Sequence, residues 1–182
     1  MEKSRSLIFL PKISCCFFLS LLLWGCKTQK NISKENRSTA FESIKIKDKY
    51  AGLLGVSEKQ ISNIKLYSFI DEWYGVPYKY AGKSKTGIDC SGFTSVLYQR
   101  VYNKELNGTS ISIYNQCEPL SKNNLKEGDL VFFKIDGDKI SHIGVHLQNN
   151  KFVHASTKKG VIINDLNEAY YKNCYYKGGR LK

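Results

Sequence analysis

Cys90 stands between Asp89 and Ser91 in the stretch TGIDCSGF, and the chain has only three histidines, His142, His146 and His154, to serve it. A thiol becomes a nucleophile when a base takes its proton and a further group fixes that base's tautomer. Phe93, Val96, Leu97, Arg100 and Val101 follow Cys90 at helical intervals and Asp89 is a good N-cap, so Cys90 is expected in the first turn of a helix. There the helix dipole and the free N–H groups favour the thiolate, and the same N–H groups can meet a developing oxyanion.

The stretch SHIGVHLQNNKFVHAS places the histidines. Along its first half Ile143, Val145 and Leu147 alternate with His142, Gly144 and His146; along its second, Val153 and Ala155 alternate with Phe152 and His154. Burying the aliphatic set on one face requires Val145 opposite Val153, with Gln148-Asn149-Asn150 as a three-residue loop and Asn150 able to adopt a left-handed conformation. A two-residue loop would turn one strand's apolar side chains to the polar face. In the three-residue register Gly144 faces His154, and His142 is the diagonal neighbour, within reach of a second imidazole. His142 can then act as base and His154 as the orienting group, on a polar face backed by aliphatic side chains.

These residue types also admit other roles. A cysteine before a helix can be a small buried hydrophobe, Asp89 can be only a cap, and His146 shares a strand face with His142 and is a rival base. Zinc held by Cys90, His142 and His154 is a further option, but no CxxC or helical HxxxH pair supports it, and neither a metal nor a cofactor is expected.

The elements that must carry these residues read as helices first, then strands. Ser57 caps an expected helix through Ile61, Ile64, Phe69, Ile70 and Trp73, ended by Gly75 and Pro77. YGVPYKYAGKSKTGI and NGTSISIYNQCEPLSKNNLKEG read as loops. DLVFFK, ISHIGVHL, KFVHAS and GVIIN read as strands joined by links too short for parallel crossovers. The class is α+β, with N-terminal helices packed on a central antiparallel sheet.

With 182 residues, 42% of them hydrophobic, the chain has room for one domain with a real core, not two. A net charge of +12 points to an anionic partner, but the lysines are scattered and no docking motif is present, so nucleic acid is not expected. Lys3, Arg5 and Lys12 precede an uncharged apolar run from Ile13 to Trp24, the layout of a secretory signal peptide and short for a spanning helix. Leu23 and Gly25 before Cys26 resemble a bacterial lipobox, from which Trp24 departs; the resemblance implies lipid on Cys26, and a plain signal peptide or retained anchor is the alternative. The expected division is a signal peptide over 1–25, a lipid-attached flexible tether over 26–50 and a catalytic domain over 51–182. Cys90, Cys117 and Cys174 then remain in the folded part, and a Cys117–Cys174 disulfide would leave Cys90 free.

GVPYKYAGKSKTGIDCSGF, LKEGDLVFF and ISHIGVHLQNNKFVHAS together resemble the NlpC family of bacterial cell-wall cysteine endopeptidases, over about Ser57 to Leu181. The resemblance implies a papain-like fold with Cys90 as nucleophile, His142 as base and His154 as third polar residue. It implies that Tyr78 helps hold the oxyanion and that Asp89 and Ser91 meet the free amine of a substrate's L-alanine; His146 falls where relatives often carry tyrosine. Peptidoglycan stem peptides are the implied substrate, cut between D-γ-glutamate and a diamino acid, usually meso-diaminopimelate. The expectation is a monomer tethered by lipid, facing the periplasm from the outer membrane. Another acyl-transfer reaction and a non-catalytic wall-binding role are the competing readings.

Overall fold

The structure, a computed structural model, describes residues 22–182, with side chains described from Arg37 onward. Residues 1–21 of the expected signal peptide and the Cys26 side chain lie outside the described residues. The chain divides into two units, Met1–Glu42 and Ser43–Lys182, and the second carries the site.

Helix α1 runs from Leu22 to Leu54, so the stretch expected as a flexible tether is helical. In the second unit its last turns place Ile46, Tyr50 and Leu54 in the core, one residue every helical turn, and the folded unit therefore begins before residue 51. That stripe, with Ala51 beside it, is short and lies in a lysine-rich segment. Among the described residues no helix is long and apolar enough to cross a membrane.

The helix expected after Ser57 is two elements. Gln60 accepts from the Ser57 N–H and hydroxyl across a single 3-10 turn, Glu58–Gln60, and a new helix, α2 (Ile64–Trp73), starts at Asn63, whose side chain caps Leu66 N–H at 3.1 Å. The loop after α2 contains a short hairpin, β1 (Lys83–Ser84) and β2 (Gly87–Ile88). Helix α3 (Cys90–Leu97) follows at once and passes into a π-helical turn, Tyr98–Tyr102.

The second expected loop holds α4 (Ser110–Tyr114), capped by Thr109, and β3 (Cys117–Leu120). Then come the four expected strands, β4 (Leu130–Phe133), β5 (His142–His146), β6 (Lys151–Ser156) and β7 (Gly160–Asp165). A helix and a strand that the sequence reading did not anticipate close the chain, α5 (Ala169–Cys174) and β8 (Tyr175–Leu181).

The six-stranded sheet has the order β3-β8-β4-β5-β6-β7, with every pair antiparallel. Val145 pairs with Val153, and the loop Gln148-Asn149-Asn150 has both asparagines left-handed, at φ 52° and 57°. This is the register that side-chain alternation requires. Ile143, Val145, Val153 and Ala155 join Ile70, Phe93 and Leu97 from the helices in the main core, where each large apolar side chain contributes about 1.5–3 kcal/mol.

The opposite sheet face differs from the expected open polar surface. Val131, Phe133 and Phe152 meet Leu166 and Tyr171 there in a second small core, and His142 and His154 are only 7% and 2% exposed. The alternation divided the side chains correctly, but Leu166 and the helix α5 that follows it cover the histidine face. The expected Cys117–Cys174 disulfide is not formed: both thiols are free, Cys117 donating to the Ile113 carbonyl at 3.3 Å and Cys174 to that of Tyr171 at 3.7 Å.

Candidate active site

Asp89 sets the position of Cys90. Its backbone is extended and one carboxylate oxygen accepts from Gly92 N–H at 2.6 Å, which starts α3 with Cys90 as its first residue. The same oxygen accepts from the Ser91 hydroxyl at 3.0 Å, and the other accepts from Ala81 N–H at 2.9 Å, where Ala81 holds a left-handed φ of 55°. Asp89 thus ties α3 to the loop that carries Tyr78.

The Cys90 thiol is 8% exposed. It faces the backbone N–H of Ile143, the residue after His142 on β5, and the N–H groups of Ser91 and Cys90 itself at the helix start. These donors pull the thiol down, as expected of a helix N-terminus, but burial is the larger effect, Asp89 adds to it, and the thiol is pushed up to about 11. Burial therefore favours the neutral thiol over the thiolate that the helix position suggests.

On the sheet, His142 Nε2 and His154 Nδ1 are 2.7 Å apart with the rings perpendicular. Gly144 makes this approach possible: a Cβ there would lie 3.2 Å from His154 Cβ and 2.7 Å from the Phe152 ring. Burial lowers both imidazoles, the neighbouring His154 lowers His142 further, and Asn164 and Glu168 partly restore His154. His146, the rival base, turns to the Lys126 carbonyl at 3.1 Å, a tie that belongs to the β4–β5 framework.

Three residues beyond the sequence reading join the pair. Asn164 Oδ1 lies 3.0 Å from His154 Nε2, and the Tyr171 hydroxyl lies 3.2 Å from the same nitrogen. The Asn164 amide nitrogen donates to both Glu168 carboxylate oxygens, at 3.1 and 3.0 Å. Asn164 had a legible signal: β7 pairs with β6 through Phe152↔Asn164 and His154↔Ile162, so the alternation that found His142 also puts Asn164 diagonal to His154. Glu168 and Tyr171 had none, because they ride on or beside an unexpected helix.

A cleft of about 430 Å³ opens beside the pair, with Tyr78, His142 and His154 in its lining. Cys90, Asp89 and Ser91 are not part of that lining. Tyr78 is half-buried and bridged to Ile88, two residues before Cys90, and its hydroxyl is raised chiefly by burial. Asp136, Tyr170, Lys158 and Lys159 are among the other residues of the lining. Among the described residues no group of histidine, cysteine and carboxylate side chains has the arrangement of a metal site.

The arrangement has the parts of a cysteine peptidase, and comparison with known proteins agrees. The NlpC/P60 family pattern matches residues 75–180. The chain is 33% identical over 90% of its length to the murein DD-endopeptidase MepS/murein LD-carboxypeptidase of Escherichia coli, covering 88% of that protein. It is 34% identical to a probable endopeptidase NlpC homolog of Haemophilus influenzae, over 83% of this chain and 76% of that one. A crystal structure of an NlpC/P60 family protein from Bacillus cereus superposes with a TM-score of 0.60 at 27% identity, over 66% of this chain and 40% of that longer one. With its α+β order, its cysteine at a helix start and its paired strand histidines, this chain belongs to the NlpC/P60 family.

Proposed function

We propose that the protein is an exported peptidoglycan endopeptidase that cuts stem peptides by thiol chemistry, with Cys90 as nucleophile and His142 as base. The observation that carries this reading is the His142–His154 contact on the strand whose Ile143 N–H faces the Cys90 thiol. The thiol starts neutral, so its proton passes to His142 as the sulfur attacks the amide carbonyl. The N–H groups at the start of α3 and the Tyr78 hydroxyl meet the oxyanion. Protonated His142 then gives its proton to the leaving amine, and water, activated by the same imidazole, hydrolyses the thioester.

For the bond cut, we favour a D,D amide in the cross-link between two stems. The Escherichia coli relative is named for such an activity and matches nearly end to end. Cleavage between D-γ-glutamate and the diamino acid is the second reading, and in this family it draws on Asp89 and Ser91 to hold a free substrate amine. Here Asp89 accepts from Gly92, Ser91 and Ala81, a cap and tie that it makes with or without a substrate amine. Export, lipid on Cys26 and an outer-membrane location rest on the N-terminal sequence pattern.

Digestion of purified sacculi, with products identified by mass spectrometry, tests the proposal. Conversion of cross-linked dimers to monomers supports D,D cleavage, whereas release of L-alanyl-D-glutamate from free stem peptides digested in parallel supports the second reading. A Cys90→Ala variant as active as the parent would overturn the mechanism.

A further inference from the structure

The hydrogen bonds around His154 run in one direction, and a carboxylate sets that direction. Glu168 accepts only, so the Asn164 amide must present its nitrogen to it, and the two N···O separations of 3.1 and 3.0 Å fit that orientation. Asn164 Oδ1 then faces His154 Nε2 at 3.0 Å, and that nitrogen must carry a hydrogen to donate. A neutral His154 protonated on Nε2 has a lone pair on Nδ1, which must accept from His142 Nε2 across 2.7 Å. His142 is left with its lone pair on Nδ1.

We propose that Glu168, acting through Asn164, is a positioning residue of the active site: it fixes His142 in the tautomer whose Nδ1 takes the Cys90 proton, and its charge stabilises the imidazolium that results. The inference rests on the peptidase reading above and names the group that orients its base. When the S–H bond of Cys90 breaks, the proton binds His142 Nδ1; the His142 Nε2 proton can then pass to His154 Nδ1. The positive charge is thereby shared with the ring nearer the carboxylate, and the negative charge stays on sulfur.

Other groups around the imidazoles are Tyr78 from the loop before β1, Tyr171 from α5, and Asp136, Lys158 and Lys159 on the cleft rim. Of the two carboxylates there, Glu168 is the one bonded into the chain. Its own position is fixed, because Oε1 also accepts from Asp165 N–H at 2.8 Å. The charge of Glu168 acts on His154 in the direction the proposal needs, against the larger effect of burial.

The test compares the parent with Glu168→Gln, with Asn164→Asp/Glu168→Gln, and with Cys90→Ala, all as full chains. Glu168→Gln removes the charge and frees the Asn164 amide to flip. The expected result is a kcat lower by about 10- to 100-fold, the scale on which partners that orient a histidine act, with KM unchanged and the acidic limb of the pH profile moved to lower pH. The double variant exchanges amide and carboxylate, restores a fixed direction, and is expected to recover most of the lost kcat. Nitrogen-15 NMR of the histidine rings should show His142 Nδ1 unprotonated in the parent and a tautomer mixture in Glu168→Gln. Parental kcat and pH profile in Glu168→Gln, or a lower melting temperature with an unmoved pH profile, would overturn the inference. Activity in Cys90→Ala would instead overturn the peptidase reading.

Discussion

His142 Nε2 and His154 Nδ1 are separated by 2.7 Å with their ring planes at 90°, so each ring fixes the other's rotation. His154→Ala removes this constraint and leaves a buried imidazole nitrogen without its partner. The expected outcome is a kcat about 10²- to 10⁴-fold lower with KM little changed, checked by steady-state hydrolysis of a defined stem-peptide dimer. His146→Gln, which touches only the Lys126 tie, should keep kcat within about three-fold of the parent, since uninvolved positions cost little.

How far this site was readable depends on which constraint placed each residue. His142, His154 and the Asn149-Asn150 loop followed from strand alternation, because a one-residue slip would have exposed Val145 or Val153. Cys90 followed from the Asp89 cap. Glu168 and Tyr171 were not readable because α5 is one and a half turns long and its apolar residues carry no period; only β8 and the second core explain why it is there. The raised Cys90 thiol was missed for a related reason: local sequence shows the helix start, while burial comes from the main core assembled across the fold.

Gly144 is the only residue type that fits its position on β5. A Cβ there would stand 2.7 Å from the Phe152 ring, 2.9 Å from the Val153 carbonyl and 3.2 Å from His154 Cβ, and the carbonyl cannot yield. Gly144→Ala should destabilise the fold by about 1–3 kcal/mol, as overpacking does, and lower kcat by moving His154. Urea unfolding and steady-state kinetics on one preparation would check both.

Asp89 combines a cap with a loop tie, and the two effects can be separated from substrate binding. Asp89→Ala loses the Gly92 and Ala81 bonds and should cost about 1–2 kcal/mol, the upper part of the capping range. If the carboxylate is a cap and tie, KM should change equally for stems with free and with blocked amino termini. A KM loss confined to free-amine stems would return the carboxylate to the substrate and revive the D-γ-glutamyl reading.

Acid should destabilise the protein through the histidine pair. The folded pKa values of His142 and His154 lie below the ordinary 6.5, burial being the main cause, so the unfolded chain binds protons that the native state refuses. Their contribution is intact above pH 6.5 and is lost as pH falls from there toward the folded values. The unfolding free energy should therefore drop with pH across this window. The slope should be shallower in His142→Asn/His154→Asn, which chemical denaturation at stepped pH would show.

The cleft rim carries a pair of cations on an anchored turn. Lys158 and Lys159 occupy the β6–β7 turn, which is held against the loop before Tyr78 by Gly75 N–H to Val161 at 2.8 Å and Val161 N–H to Val76 at 2.9 Å. Gly160, at φ 71°, permits the contact, since a Cβ there would sit 2.2 Å from the Val76 carbonyl. Stem peptides carry carboxylates, so a pair of ammonium groups on the rim of the cleft that holds the histidines favours binding without entering the chemistry. Lys158→Glu/Lys159→Glu should raise KM by about 3- to 10-fold with kcat unchanged, the scale of screened rim charges. The parent's KM should rise with ionic strength while the variant's does not; equal salt responses in the two proteins would show that these lysines do not meet the substrate.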